Sequence, residues 1–447
     1  MKTSITRRSF TKIGLGSLAF GLAALQTNTS RAQIIGANDR IRCAFVGVAN
    51  RGRQMIEAFL QHEDMEIAAL CDLDRATLEA TANANGNPPV YEDYRQILER
   101  NDVDAVVFST PDHWHALQLV DSCKAGKDVY MEKPLSITVK EGRIMVEATK
   151  KYERVVQVGF HRRSSTLQHS LAEEKIENKI GRVTVTRCYR LNNMYPSGIG
   201  RSDPSAPPAG FNWDLWLGPR PSQPFQATIA PYNFRWWDLF SSQAANWGAH
   251  FFDVILWQMH ELGPTSVNAM GGKFAVDDDR TIPDTLEVCF QFGNRRLAIF
   301  GQYEANGNPA VATNAQRRQL GEIEFRGTQG TLYLNPGAYE IIPERGGQFQ
   351  SNTPRMEPQT RSEPNSSERQ LTAAHARNFL DCIKSREKPF SDVESAHRST
   401  TMSLIANISL ALVQRLDWDV ETERFTNSDT ANDLLHYEYR TPWKLEI

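Results

Sequence analysis

From Ile41 onward, short apolar runs alternate with stretches that repeat apolar residues every three or four positions. "IRCAFVGV" reads as a strand, and "RQMIEAFLQ" then sets Met55, Ile56, Phe59 and Leu60 on one helical face. "EIAALCD" is a second strand and "VDAVVFST" a later one, followed by a helix through 117–125. "DVYMEKP" is a strand that breaks at Pro134, and "KEGRIMVEATKKY" is a helix leading into "VVQVGF". Strand and helix in alternation predict a parallel sheet with crossover helices, here ending near Phe160. Beyond it the rhythm changes. "VTVTRCYRL", "TSVNAMGG", "DTLEVCFQF", "RLAIFGQY", "GEIEFRG" and "GTLYLN" follow one another at hairpin-like spacing, which predicts a large, mostly antiparallel sheet. Residues 192–245 interrupt it with a stretch rich in Pro, Gly, Trp and Tyr; a loop of that length is usually functional or disordered, and the aromatics argue against disorder. Residues 344–370 are polar and read as an exposed loop, and two amphipathic helices follow, over "LTAAHARNFLDCIKS" and "VESAHRSTTMSLIANISLALVQRL". The expected organisation is a leader over 1–32, a nucleotide-binding domain over 38–160 and an α+β domain over 161–447, with the last helices packing back on the first domain.

Composition narrows the partners. The chain is 40% hydrophobic and 23% charged, with a net charge of −3, so no field of one sign draws it to nucleic acid. Six cysteines, at 43, 71, 123, 188, 289 and 382, form no C-x-x-C pair and suggest neither a disulfide framework nor a zinc site. At the start, "TRRSFTK" with Arg7 and Arg8, followed by the apolar Gly14–Leu25, has the pattern of a twin-arginine signal peptide, with cleavage expected after Ala32. Twelve apolar residues are too few for a permanent span, which needs about 20. The expectation is export, through the twin-arginine machinery and to the periplasm or beyond, without a stable membrane anchor. That route carries folded proteins, so a cofactor loaded in the cytoplasm can travel with the chain.

The candidate cofactor loop is Gly47-Val48-Ala49-Asn50-Arg51-Gly52, a G-x-A-x-x-G variant between a strand and a helix. Gly47 permits the turn, Ala49 still lets a pyrophosphate approach the backbone, and the helix beginning at Gly52 offers free N–H groups. Asp72 stands twenty positions beyond Gly52, at the end of the second strand. A carboxylate there accepts both hydrogen bonds of a ribose diol and repels a 2′-phosphate, which favours NAD over NADP. Asp74 is a substitute for it, and Arg75 weakens the discrimination.

Three further segments complete a set: "STPDHWHA" (109–116), "MEKP" (131–134) and "NWGAHFFDVILW" (246–257). With the glycine loop, in this order, they resemble the Gfo/Idh/MocA oxidoreductases, named for glucose–fructose oxidoreductase and inositol dehydrogenase. The resemblance runs over nearly the whole mature chain. It implies an α/β fold, a Rossmann domain followed by an α+β domain with a large open sheet, and hydride transfer between a nicotinamide and a sugar or polyol carbon. It implies that Lys133 touches both the nicotinamide ribose and the substrate hydroxyl, with Glu132 and Pro134 shaping its turn. Removing hydride from a carbinol needs a base for the hydroxyl proton, and a desolvated lysine can supply it. Thr110, Pro111, Asp112 and His115 fall where the family's chain nears the nicotinamide ribose, while Trp114 and His113 suit packing. His250 and Asp253 share a helix face. Asp253 matches the family's aspartate that orients substrate. The histidine that inositol-dehydrogenase-like members carry four residues later is Trp257 here, so proton transfer falls to Lys133 or His250. A metal held by His250, Asp253 and His260 does not match a known motif, and none is expected.

On the substrate side, Trp213, Trp216, Trp236 and Trp237 offer sugar-stacking faces, and Arg162, Arg163 and Arg235 can bind hydroxyls or a carboxylate. Three functions follow. The first is an exported oxidoreductase with a tightly held cofactor that is reduced by one sugar and reoxidised by another. The second is an NAD-dependent glycoside-cleaving enzyme, and the third a non-catalytic carbohydrate-binding protein. An open sheet face implies a homodimer or homotetramer.

Overall fold

In the computed structural model, residues 40–306 and 322–447 are described. The expected leader over 1–32 lies outside them. Six strands form the first sheet: β1 (Ile41–Val46), β2 (Met65–Cys71), β3 (Val90–Tyr91), β4 (Ala105–Phe108), β5 (Asp128–Met131) and β6 (Val156–Val158). All pairs are parallel, in the order β3-β2-β1-β4-β5-β6. β4, β5 and β6 are buried at every position, as expected for strands covered by helices on both faces. The chain runs outward from β1 to β3, then restarts at β4 on the other side of β1. The crevice between the ends of β1 and β4 is therefore a topological switch point, where this architecture receives ligands.

Among the described residues a second sheet has ten strands. They are β7 (Val183–Leu191), β8 (Ser266–Gly272), β9 (Thr285–Phe292), β10 (Arg296–Tyr303), β11 (Ile323–Gly327), β12 (Gly330–Asn335), β13 (Ala338–Pro343), β14 (Gln359–Ser362), β15 (Leu416–Asp419) and β16 (Arg424–Phe425). Only β7 and β10 pair in parallel; the other neighbours are antiparallel. On β9, Leu286, Val288, Phe290 and Phe292 are buried against the helix Ala249–Met259, with Phe290 5.2 Å from Phe252. Their alternate neighbours face outward. β14 lies inside the stretch expected to be a loop. All four of its residues are exposed, so no apolar alternation marks it. It exists because it pairs with β13.

The last long helices tie the two sheets together. Glu368–Ser385 starts at a Ser367/Gln370 capping box and lays Phe379 against Phe59 and Tyr130 of the first layer. Val393–Leu412 lies between the helices Val139–Lys151 and Ala249–Met259. At its start, Arg143 forks to Glu394 (2.7 Å) and Glu423 (2.5 Å), and His397 lies 2.8 Å from Glu423. The long interruption packs a small core of its own. Trp213 and Trp216 stack at 4.8 Å and join Phe225, Ile229, Phe234 and Phe240. These two tryptophans are thus packing residues rather than sugar platforms.

Arg143 holds Glu394 at about 2, below the ordinary carboxylate value. Burial alone would raise Glu423, but His397 and Arg143 outweigh it and hold it at about 2 too. Carboxylates with depressed pKa stabilise the fold above about pH 4.5 and lose that contribution as pH falls toward 2. Arg143→Met is expected to cost about 1–3 kcal/mol, between an exposed and a fully buried pair. It should also flatten the loss of melting temperature between pH 4.5 and 2.5, read by calorimetry.

Candidate active site

The glycine loop closes the end of β1. Gly47 has φ +79°, and a Cβ there would meet the Ser109 carbonyl oxygen at 2.8 Å. The backbone can only pass so close to the end of β4 without a side chain. The helix Asn50–Phe59 follows with no side-chain cap and no acidic residue in its first turn. Its leading N–H groups are thereby left for an anion. Asp72, just past β2, accepts from the Val48 N–H (2.8 Å) and the Asp74 N–H (2.9 Å), and burial pushes its carboxyl upward. Asp74 instead caps the helix Arg75–Ala84 through the N–H groups of Ala76 and Thr77, and Arg75 pairs with Glu79 on the surface.

The glycine loop, Asp72 and Asp74 line one face of a cleft, which also takes in Thr110 and Pro111. The opposite wall comes from the long interruption: Phe211, Leu215, Trp216, Pro231, Tyr232, Phe234 and Arg235. An uncapped helix start, a close backbone approach and a carboxylate beyond β2, all facing one cavity, fit a dinucleotide. Gly47, Ala49, Asn50, Arg51, Gly52 and Asp72 are the residues that would hold it.

The "MEKP" turn is braced from behind. Glu132 accepts from Arg51 Nε (2.8 Å) and from the Lys133 N–H (3.2 Å), so it links the glycine loop to the turn rather than facing a ligand. Lys133 Nζ donates to the carbonyl (2.7 Å) and side-chain Oδ1 (2.9 Å) of Asn246. Asn246 sits in a single π turn, Ala244–Gly248, that opens the helix Ala249–Met259, a distortion that recurs at functional sites. Burial pushes Lys133 down to about 8, with Glu132 opposing and the Arg235 cation adding to the shift.

His250 is the second residue of that helix. Its ring lies 5.5 Å from His161, 6.0 Å from Trp247 and 6.1 Å from Phe160. Both histidines are buried, and each has an Nδ1 without a hydrogen-bond partner. Burial holds both neutral. The Lys133 cation adds to the effect at His250, and Arg51 at His161. A buried polar atom with no partner is rare and calls for one.

Other expected site residues are committed elsewhere. Asp253 is 1% exposed and accepts from Arg163 Nε (3.0 and 2.9 Å) and Ser399 Oγ (2.9 Å). Asp253 and Arg163 therefore satisfy each other and do not present free groups to a substrate. His115 lies between the Pro134 carbonyl (2.7 Å) and the Thr110 carbonyl (3.1 Å), holding the two loops together. Thr110 donates to Gln118, and Asp112 accepts from Ser241 of the interruption. His113 and Trp114 both reach the Trp216 carbonyl. Arg162 pairs with Glu322 at 2.5 Å and lies over Phe251. Trp236 donates to Glu304 at 3.0 Å, and Trp237 to the Thr228 carbonyl. His260 contacts the Ala172 carbonyl, away from Asp253's partners. Two residues enter the site unforeseen. Asn246 had been quoted only as a helix start, and His161 falls between "VGF" and the two arginines that drew attention instead.

Comparison with known proteins agrees with this geometry. Residues 41–160 match the profile described as oxidoreductase family, NAD-binding Rossmann fold, and 341–445 match its C-terminal alpha/beta domain, together just over half of the chain. The chain belongs to the Gfo/Idh/MocA oxidoreductase family. Its Rossmann domain is thus that of a nicotinamide-dependent enzyme family. Curated relatives include glycosyl hydrolase family 109 protein 1 of Shewanella sp. (strain ANA-3), 32% identical over 176 residues. That match covers 34% of this chain and 38% of the relative. Alpha-N-acetylgalactosaminidase of Shewanella oneidensis is 34% identical over 163 residues, 31% of this chain and 35% of that protein. The chain thus spans well under half the length of these relatives. Among solved structures, levoglucosan dehydrogenase with NADH and levoglucosan superposes with a TM-score of 0.64 at 17% identity, covering 85% of this chain and 99% of that one. Aldose-aldose oxidoreductase from Caulobacter crescentus, complexed with glycerol, gives 0.61 at 16% over the same shares. Both share the fold of this chain.

A Cβ on Gly159 would meet the Glu132 carboxylate at 2.8 Å. Gly159→Ala is expected to displace Glu132, release Arg51 and loosen the glycine loop. Dinucleotide affinity should fall about tenfold, a change of about 1.4 kcal/mol, as measured by titration calorimetry with NAD+.

Proposed function

We propose that the protein transfers hydride between a nicotinamide cofactor and a carbinol carbon of a sugar, polyol or sugar derivative. The observation that carries this reading is Lys133: a part-buried amine, pushed to about 8, fixed by Asn246 and joined through Glu132 to the glycine loop that lines the cleft. The cofactor, when bound, accepts or returns the hydride. Lys133 takes the hydroxyl proton in the oxidising direction and returns it in the reducing one. Two of its N–H groups are held by Asn246, which aims the remaining valence toward the substrate. His250 and His161, both neutral, can accept or donate hydrogen bonds at neighbouring hydroxyls. Asp253 and Arg163 act behind them by fixing the helix that carries His250. Asp72 favours NAD over NADP, because a 2′-phosphate would meet its carboxylate.

The wall contributed by 211–237 favours a cofactor retained through turnover. Arg7 and Arg8 with the following apolar run support export of the folded chain by the twin-arginine route. Met270 and Leu297, exposed on the outer face of the second sheet, support a homodimer or homotetramer.

A second reading is glycoside cleavage, in which the aglycone is eliminated from a transiently oxidised sugar. The two imidazoles, each with an Nδ1 lacking a hydrogen-bond partner, favour it, since elimination needs a further proton transfer beyond that of Lys133. The names of the Shewanella relatives point the same way. Release of aglycone without net cofactor reduction would select this reading.

The neutral amine fraction of Lys133 grows as pH rises through 8. Accordingly kcat/KM for sugar oxidation should rise between pH 7 and 9 and level off above, while the reducing direction falls over the same range. Lys133→Met should lose this limb and about 10²–10⁴-fold in rate, read in stopped-flow absorbance of the nicotinamide. Acid denaturation of the purified protein should release NAD or NADH in near-stoichiometric amount, detected by mass spectrometry; protein that releases no nicotinamide would defeat the retained-cofactor proposal.

A further inference from the structure

Arg190 is a half-buried arginine that the proposed chemistry does not use. It lies near the end of β7, paired in register with Gln302 of β10. Its guanidinium carbon sits 3.8 Å from the centre of the Trp247 ring. Trp247 immediately follows Asn246, the residue that holds Lys133, and its ring centre is 6.0 Å from that of His250. Trp247 therefore lies next to both Arg190 and His250, and next in sequence to the residue that holds Lys133.

No N–H of its side chain meets a hydrogen-bond acceptor among the described residues, and Nε is fully buried without a partner. The carboxylates whose field reaches it are those of Glu304 and Glu322. Both are taken. Glu304 accepts from Arg280 Nη1 at 2.5 Å and from Trp236 Nε1 at 3.0 Å, and Glu322 pairs with Arg162 at 2.5 Å. Arg235 repeats the pattern on the cofactor side: its Nη1 donates only to the Tyr232 carbonyl, and it lies over the Tyr232 and Phe234 rings. Lys133 likewise donates to neutral acceptors alone. Three cations thus surround the site without a carboxylate of their own. A desolvated guanidinium left without an anionic partner is costly, and sugar hydroxyls bring no charge to offset it. Its planar fork matches a carboxylate through two parallel hydrogen bonds.

We propose that the substrate is a sugar acid, whose carboxylate is received by Arg190 over the Trp247 face while its reacting carbinol meets Lys133. This rests on the sugar-oxidoreductase reading and names its substrate class. The Trp247 ring pins the guanidinium, so the carboxylate fixes which carbon faces Lys133.

The test is equilibrium binding to the protein as purified, read by calorimetry, with glucuronate, galacturonate and mannuronate against glucose, galactose and mannose. At least one acid should bind tenfold or more tightly than its neutral parent, with an advantage that shrinks as salt is raised. The methyl ester of that acid should bind like the parent on the unaltered protein. Arg190→Met should remove the advantage and leave the neutral sugar's affinity unchanged, and Arg190→Lys should keep part of it. If no acid exceeds its parent, or if the advantage survives in the ester or in Arg190→Met, the proposal falls. Because the readout is binding, an acid that binds but is never oxidised overturns hydride transfer and leaves this inference standing. Oxidation of neutral sugars with no acid preference does the reverse.

Discussion

The two hydrogen bonds from Lys133 Nζ to Asn246 join the end of the parallel sheet to the first turn of a helix that belongs to the second sheet. Everything the site can do depends on that junction. An ammonium in water has no reason to give up its proton near neutrality. Here it is enclosed by both layers at once, and the enclosure, more than any neighbouring charge, brings it to about 8. Neither layer alone would enclose it. The long helices Glu368–Ser385 and Val393–Leu412 are therefore part of the chemistry, because they keep the two layers pressed together through Phe379, Arg143 and Glu423.

A second brace runs behind the first. Glu132 joins Arg51 of the glycine loop to the backbone of Lys133, and Gly159 gives it room to do so. Binding at the loop and the position of the amine are mechanically coupled. His115 spans the Thr110 and Pro134 carbonyls in the same manner. Residues that motif logic assigns to ligand contact thus turn out to hold one ligand-bearing loop against another. Their identity matters because their geometry is shared between two loops, which explains why they stand inside the motifs.

What could be read from the sequence divides along physical lines. Most strands of the first sheet were legible because they show as continuous apolar runs, β4 and β5 being buried at every position, whereas the two-residue β3 at the edge, exposed to half-buried, was not. The glycine loop was legible because a positive φ and a close approach leave few residue choices. β14 was not, since it is exposed at every position and depends on pairing with a distant strand. Asp253 was assigned to substrate because it matches the substrate-orienting aspartate of the family the sequence resembles. What the sequence does not carry is that Arg163, ninety positions away, folds onto it. His161 and Asn246 gain their roles only by meeting across the same fold. The tryptophans of the interruption were ambiguous in composition and divide in space: Trp213 and Trp216 fill a core, while Trp247, outside that stretch, stacks on an arginine.

The charge pattern at the centre has a consequence for proton movement. Arg51, Arg162 and Lys133 all act on the His161–His250 pair in the same sense, and burial acts with them. Neutral imidazoles between cations hold a proton only briefly, so a proton leaving a bound sugar would rest on Lys133 or pass through them to solvent. An anionic substrate group would alter this balance. A carboxylate at Arg190 would offset part of the local positive field and raise the proton affinity of His250, bringing that imidazole nearer to proton acceptance only when the right substrate is in place. The same positive field would thereby couple recognition of the acid to the capacity for acid–base chemistry.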